Sequence, residues 1–589
     1  MAATTVNPPS DAIPSRKART SSLWHFALFL VVFLSVVTPL LFLILGSFSQ
    51  ARLPSQFSFS SLGLANYIKM WGDPGTYAVF SNTLWFASGS TAVGIAIAAG
   101  LAWLVERTNI PGKIWIYAGV PLTLAMPGML QSMAWVLLAS PRIGFINKAL
   151  VDGFGFSSAP FNIYTMTGMI FIEGLRMVPT AFLMMVPLLR SMDPSLEEAA
   201  AASGARPSSV LRKVTFRLML PGLIAVTIYQ FTSALEGFEV PGILGLPAGI
   251  HVFSTKIYAV LNPASSLPAY GEANALAMLY LVVAIASTYL YSRVIAKSER
   301  FTIVTGKGYR PRLFQLGPWR WPAFSLALIY LALSAIVPFL VLAYVSLLPF
   351  LQVPSAKAFA AMTWANYETV FQTDRMGRML WNTALMTVLV GFAVVIVSFL
   401  ISVVVVRSKF WGRKVLDQLA FLPHAIPGMV MGLALLWIFL QIDKLGVGLF
   451  GSLTSLVIAF TIGYISYGTR AMNAAVLQLH KDLEEAAKVS GAPQWRVFWR
   501  IFFPLLQPAF VGVWIWTILH VVRAAGKPLI LTKGAENEVL AVVIWNMWDQ
   551  GYMGAVGAIG TMLMLSLLIV TLLVRKFGFG RGSHIQEAR

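Results

Sequence analysis

Residues 196–205 read LEEAAAASGA, and residues 483–492 read LEEAAKVSGA. Both copies place two glutamates before a pair of alanines and a glycine. A segment this short and this charged cannot cross a bilayer, so each copy predicts an exposed surface helix of about eight residues, roughly 12 Å long. The repetition is the first indication that the chain is built from two related halves.

Polar residues mark the predicted ends of these two helices. A side chain at the helix start and a glutamate three residues later have capping-box spacing, in which each satisfies a free backbone amide. The two candidate boxes pair Ser195 with Glu198 and Asp482 with Glu485. Gly204 and Gly491 supply the expected stops, because glycine readily adopts the left-handed conformation that ends a helix.

The sequence around these helices is too apolar for a soluble protein. Of the 589 residues, 57% are hydrophobic and 11% are charged, and the mean hydropathy is +0.74. Twelve apolar runs reach the roughly 20 residues that a helix needs to cross a bilayer. The runs lie at about 23 to 45, 78 to 104, 114 to 139, 164 to 189, 218 to 240, 271 to 293, 322 to 346, 380 to 405, 415 to 440, 453 to 475, 504 to 525 and 551 to 574. We therefore predict an all-α integral membrane protein with twelve transmembrane helices.

Lysines and arginines are concentrated in alternate loops. The net charge is +20, but the basic residues sit in short connections instead of on one face, so the charge does not predict nucleic-acid binding. By the positive-inside rule these loops are cytoplasmic, and twelve spans place both termini on that side. The loops are 107–113, 190–217, 297–320, 407–414, 481–500 and 575–576. The chain has no cysteine, which excludes disulfides and thiolate metal sites.

The two halves repeat each other at a spacing of 300 residues. Asn66-Tyr67 recurs as Asn366-Tyr367, and Pro127-Gly128 recurs as Pro427-Gly428. Six spans separate each pair, so the halves have the same orientation and are parallel repeats. The predicted organisation is a cytoplasmic tail (1–22), a first transmembrane repeat (23–293), a cytoplasmic linker (294–320), a second repeat (321–575) and a cytoplasmic tail (576–589).

The repeated surface segment resembles the EAA signature of binding-protein-dependent ABC importer permeases. The second copy matches it throughout, including the later Ile501 and Phe503-Pro504. The first copy has Arg217 where the pattern has proline, and Pro221 follows four residues later, which predicts one extra helical turn there. The resemblance implies the type I ABC importer (MetI-like) permease fold with two parallel six-helix repeats.

The resemblance also implies partners. One ABC ATPase would dock under each half on the cytoplasmic side, and a periplasmic protein would deliver the substrate. The implied docking residues are Glu197, Glu198, Ala199, Ala200, Gly204, Glu484, Glu485, Ala486, Ala487 and Gly491. The chain lacks a phosphate-binding Gly-x4-Gly-Lys-Ser/Thr loop, so ATP and magnesium would bind the ATPase, and this chain would be neither an enzyme nor a cofactor protein.

Within that family the chain looks most like the ferric-iron importers of the bacterial inner membrane. Permeases for thiamine, 2-aminoethylphosphonate and polyamines share much of the pattern and remain alternatives. A secondary transporter with two parallel six-helix halves is an alternative on topology alone.

Charged residues inside predicted spans are candidates for the transport pathway. Glu173 and Arg176 lie three residues apart on one helix face, where they could line a gate or form a static pair that holds helices together. Glu236 and Glu239 end the fifth span, where they could meet a passing cation or lie at the water interface.

Two Pro-Gly steps are expected to break the third span of each half and to bring backbone close to the pathway. These residues are Pro127, Gly128, Pro427 and Gly428. His424 and His520 have no carboxylate or histidine partners at metal-ligand spacing, so we predict structural histidines and no metal site.

Overall fold

The protein is described by a computed structural model that covers residues 16–190, 195–263, 265–298, 313–372 and 374–578. Throughout these ranges the regular structure is helical, with only isolated β-bridges. The main helices of the first half are α1 Arg16–Phe48, α2 Ala65–Gly72, α3 Pro74–Arg107, α4 Lys113–Leu122, α5 Gly128–Ala139, α6 Met166–Arg190, α7 Ser195–Ala202, α8 Phe216–Leu235, α9 Phe253–Leu261 and α10 Tyr270–Ser298.

The second half repeats this order. Its main helices are α11 Arg320–Leu331, α12 Val337–Ser346, α13 Ala365–Gln372, α14 Asp374–Arg407, α15 Arg413–Phe421, α16 Gly428–Asp443, α17 Leu453–Gln478, α18 Lys481–Val489, α19 Phe503–Arg523, α20 Leu540–Asp549 and α21 Met553–Gly578. Several helices run past the predicted repeat boundaries, since hydrogen bonding continues where the apolar run stops. One of them is α10, which ends at Ser298 instead of at 293.

The predicted count of twelve spans is not confirmed. In the described part of the chain, nine helices are long and apolar enough to cross a membrane, or up to eleven when two bent helix pairs are counted as one span each. The remaining predicted span corresponds to α17, which has 26 residues and therefore sufficient length, about 39 Å. Its polar residues, among them Thr461, Ser466 and Arg470, lower its apolar character.

The first helix of each half packs against the opposite half. In α1, the Phe29 ring lies 6.0 Å from the Phe410 ring and 5.9 Å from the Trp411 ring of the second half. In the other direction, α12 packs against α5 of the first half as well as α21 of its own half. The two halves therefore share one core instead of meeting at a flat interface.

A π-turn in the second half provides a buried hydrogen bond to the first. Residues Ala332–Ile336, between α11 and α12, form this wider turn. A π-turn interrupts the regular i to i−4 ladder, so a carbonyl within it becomes available to another donor. The Gln131 side-chain amide of α5 donates to the Ser334 carbonyl at 2.9 Å, and both residues are buried.

Glycines allow α3 and α6 to pack closely. A Cβ added at Gly94 would lie 2.9 Å from the Met177 Cβ and 3.1 Å from the Gly174 carbonyl oxygen. The same helix carries Gly100, where an added Cβ would meet nothing within 4 Å. Small residues are typical where membrane helices approach with their backbones near contact.

We expect Gly94→Ala to destabilise the protein, because the new methyl group forces α3 away from the α6 backbone. Overpacking of this kind costs about 1–3 kcal/mol. Gly100→Ala is the matched control and should be neutral or slightly stabilising. The unfolding midpoint of each variant is measured by heating it in detergent and quantifying the remaining folded protein by size-exclusion chromatography. Equal midpoints for the two variants would contradict close packing at Gly94.

Candidate functional site

The two repeated surface segments form the predicted short helices. The first, α7, spans eight residues and contains Glu197 through Ala200, and the second, α18, spans nine and contains Glu484 through Ala487. The helices that follow them, α8 and α19, begin at Phe216 and Phe503, which are 287 positions apart, as are the two EAA segments. The two segments thus have the same register within their halves.

Both helices are closed by the same backbone motif at the predicted glycine. Gly204 has φ +80° and Gly491 has φ +72°, a conformation that favours glycine. The amide of Ala205 donates to the Ala200 carbonyl at 3.1 Å, and the second copy makes the equivalent bond from Ala492 at 3.0 Å. This i to i−5 bond is a Schellman closure, and an added Cβ at either glycine would meet nothing within 4 Å. Backbone conformation, not packing, therefore requires these glycines.

Two local expectations for these segments are wrong. Asp482 lies inside α18 and not before it, because the helix begins at Lys481, two residues before the start at Leu483 that a cap at Asp482 predicts. The Asp482 carboxylate lies 3.0 Å from His480 Nδ1. The extra turn expected in the first copy is absent: Pro221 lies inside α8, whereas Pro504 lies in the first turn of α19. In the first copy, the predicted cap Ser195 is the first residue of α7, and the residue before it lies outside the described residues, which omit 191–194.

Each short helix presents an apolar side chain to its surroundings. Leu196 is 46% exposed, and Leu483, its counterpart, is 45% exposed. An exposed leucine contributes little to the stability of the fold, because its side chain remains in contact with water. The two exposed leucines occupy equivalent positions in the two halves.

The third span of each half is broken, as predicted, at the Pro-Gly step. Residues Lys113–Ala125 meet Gly128–Ala139 at 96°, and Arg413–Ala425 meet Gly428–Asp443 at 110°. A break leaves backbone carbonyls free at the end of the upstream helix and amides free at the start of the downstream one. Within a membrane these groups need partners from the protein or from a water-filled cavity.

At the first break, charged side chains from both halves supply such partners. Arg523, the last residue of α19, donates a hydrogen bond to the Leu124 carbonyl at the end of the upstream segment. Glu239 interacts electrostatically with Arg523 and Arg176, and its carboxylate interacts with the Met129 amide at the start of α5. A cation therefore lies at the carbonyl end and an anion at the amide end, matching the polarity of each helix terminus.

The predicted pair of Glu173 and Arg176 is present in α6. Arg176 Nε donates to Glu173 Oε2 at 2.9 Å, and the Arg176 Nη2 group bonds the other carboxylate oxygen. Glu173 is 1% exposed, whereas the Arg176 side chain is 32% exposed. Because Arg176 also faces Glu239, the pair belongs to the first break and is not an isolated helix contact.

The second break is arranged differently. Lys527, which is buried, has its Nζ 5.0 Å from the centre of the Phe460 ring and 5.1 Å from the Tyr464 ring. It also interacts electrostatically with Glu236 of the first half. A Cβ added at Gly128 would collide with the Glu239 carboxylate and the Arg176 side chain, but one at Gly428 would meet only Lys527 Cε, at 3.9 Å. Of these two glycines, only Gly128 has neighbouring side chains so close to its backbone that a Cβ atom would not fit without moving them.

We name these charged residues the central ion cluster. Its members are Glu173, Arg176, Glu236, Glu239, Arg523 and Lys527. Sequence reasoning identified the four from the first half but missed Arg523 and Lys527. The 287-residue register supplied a signal for Arg523, because it aligns this arginine with Glu236. The histidines make packing contacts, with the His520 ring stacked 3.9 Å from the Trp516 ring. The described residues contain no group of three potential metal ligands.

A family comparison accounts for both the repeated segments and the broken helices. Residues 90–298 and 395–579 each match the model for the binding-protein-dependent transport system inner membrane component. The chain belongs to this family. Membership makes it a multi-pass permease component of the inner membrane, not an enzyme, and removes the secondary-transporter alternative.

Several relatives match the permease over most of its length. The ferric transport system permease protein FbpB of Actinobacillus pleuropneumoniae is 25% identical over 82% of this chain and 69% of the relative. The putative ferric transport system permease protein FbpB 1 of Haemophilus influenzae is 26% identical over 80% and 74%. The Fe(3+)-transport system permease protein FbpB 2 of the same organism is 21% identical over 95% and 99%.

The ion pair in α6 gives a test of its role. Arg176→Met leaves a buried carboxylate without its partner, which costs about 3–5 kcal/mol, whereas the double variant Glu173→Gln/Arg176→Met leaves no charge to desolvate. We expect the single variant to lower thermal stability in detergent and the double variant to recover it. Lys69→Met, which removes an exposed pair with Glu272, is the control and should change stability little.

Uptake into vesicles separates the two roles that the sequence leaves open for this pair. Recovery of uptake in the double variant indicates static packing, and recovery of stability without uptake indicates a gate. Equal stability and equal uptake in Arg176→Met and in the double variant would contradict any interaction between the two residues.

The two Pro-Gly steps provide a second, matched test. Gly128→Ala should fold, since the new methyl group meets movable side-chain ends, but it should displace Glu239 and Arg176 and reduce uptake several-fold. Gly428→Ala should leave uptake near the wild-type rate, because ordinary contact distance remains there. Equal uptake by the two variants, each normalised to the amount of folded permease, would show that the cluster at the first break does not matter for transport.

Proposed function

We propose that the permease imports ferric iron that a periplasmic binding protein delivers. The support is the match to relatives named as ferric transport permeases, which extends over 80–82% of this chain in two of them. The length of the match matters, because neither predicted repeat makes up more than half of the chain, so a match of this length includes parts of both halves.

We further propose that two copies of an ABC ATPase drive the import by docking on α7 and α18. The observation that carries this proposal is the equivalence of the two helices: the same register, the same glycine closure and the same exposed leucine. Hydrolysis would take place in the ATPase, which would bind ATP and magnesium. This arrangement requires both helices, and hence both termini, on the cytoplasmic side.

The proposed pathway runs between the halves at the central ion cluster. Intramembrane ionisable residues usually face a cavity or a pathway, because exposure to lipid is costly. Three carboxylates belong to the first half, and two of the three cations belong to the second. Passage of a cation between the halves would draw the carboxylates away from Arg523 and Lys527, so separation of the halves and substrate entry would be linked.

Reconstitution tests the proposed function. The permease alone should hydrolyse no ATP, and the complex with its partner should contain two ATPase subunits per chain, measured by native mass spectrometry. Proteoliposomes that contain the complex and the cognate binding protein should accumulate radioactive iron only when ATP is supplied.

The control substrates are thiamine, 2-aminoethylphosphonate and spermidine, each offered with the same complex. Uptake of one of these without iron uptake would contradict the proposed substrate. ATP turnover by the isolated chain, or a complex with one ATPase, would contradict the proposed coupling.

A further inference from the structure

Three membrane helices of the first half are connected to α7 through one carboxylate. Glu197 Oε1 accepts a hydrogen bond from Thr215 Oγ1 at 2.6 Å, and Thr215 directly precedes α8. Glu197 Oε2 lies 3.7 Å from Arg107 Nε at the end of α3. Arg107 Nη2 in turn donates to the Leu189 carbonyl near the end of α6 at 2.9 Å. We call these four residues the coupling joint.

The joint satisfies groups that would otherwise lack partners. The Leu189 carbonyl is one of the last four of α6, and these carbonyls receive no hydrogen bond from an amide of their own helix. A cation at that end also complements the helix dipole. Arg107 is 6% exposed and the Glu197 side chain 17%, so both charges are largely withdrawn from water. Removal of either would leave the other poorly compensated.

The second half keeps only part of this arrangement. Arg407, which is 300 positions after Arg107, donates to the Val476 carbonyl at 2.9 Å, and Val476 is 287 positions after Leu189. The residue equivalent to Thr215, however, is Phe502, which has no hydroxyl group. The arginine clamp on the fourth span is therefore common to both halves, but the connection to the fifth span through a threonine exists in the first half only.

We propose that Glu197 and Thr215 are positioning residues that transmit movement of the first docking helix to α3, α6 and α8. This inference rests on the proposed function, in which an ATPase moves α7. Along the backbone, α7 connects to α8 through the turn at Gly204 and a helical stretch that begins at Pro207, contains the π-turn Leu211–Thr215 and continues into α8. The side-chain joint shortens that route to two contacts. The first half follows its ATPase more rigidly than the second.

The test compares Thr215→Val, which removes the hydroxyl group at nearly constant volume, with Thr215→Ser, which keeps it. Thr227→Val is the matched control in α8, because the Thr227 hydroxyl donates to the Leu223 carbonyl of its own helix. Two quantities are measured: substrate imported per ATP hydrolysed in proteoliposomes, and amide hydrogen exchange of residues 195–202 in the permease alone.

We expect Thr215→Val to lower import per ATP about tenfold and to speed exchange in α7 by a similar factor, the effect of losing one charge-assisted hydrogen bond. Thr215→Ser and Thr227→Val should match wild type in both. Glu197→Gln should reproduce Thr215→Val in part, because the amide oxygen can still accept the bond.

Unchanged exchange in Thr215→Val overturns the joint, whether or not import is measurable. Faster exchange with an unchanged ratio also overturns the inference, since the contact is then merely structural. Failure of the wild-type complex to import anything contradicts the proposed function instead. If the wild-type complex imports substrate and Thr215→Val imports the same amount per ATP hydrolysed, only this inference is contradicted.

Discussion

The hydrogen-bonding needs of two broken helices constrain the rest of the permease. A Pro-Gly step in the third span of each half opens the helix, and lipid cannot satisfy the released carbonyls and amides. An unsatisfied buried polar group costs about 1–3 kcal/mol. At the first break, Arg523 reaches across from the opposite half to the Leu124 carbonyl, and Glu239 faces the Met129 amide. The hydrogen bonding of the broken helix in the first half thus depends on a residue of the second half.

The same dependence recurs in the packing of the halves. Phe29 of the first half lies against Phe410, and Gln131 bonds a carbonyl that a π-turn releases in the second half. In each of these contacts, a helix of one half packs against or bonds to a residue of the other half. Contacts of this kind make part of the core and of the buried hydrogen bonding common to the two halves.

Much of this organisation could be predicted from the sequence. Apolar length located most of the spans, the repeated EAA segment located the two short surface helices, and glycine at 204 and 491 located their ends. These features are local, so nearby residues determine them. The side-chain partners of the breaks are not local: Arg523 lies 399 positions from Leu124. Spacing within a helix predicted the Glu173–Arg176 pair but could not reveal that Glu239 joins it. The predicted cap at Asp482 failed for a different reason, because a helix boundary can shift by one or two residues without any change in the sequence pattern.

The charges of the central ion cluster have a consequence for assembly. The first half contributes three acids and one base, and the second contributes two bases, so the formal charges balance only when one of each half is present. A dimer of two first halves would bring together a net charge of −4, and a dimer of two second halves a net charge of +4. Covalent fusion then guarantees the mixed pairing that their charges demand, and either half synthesised separately would have to find its complement instead of its own copy.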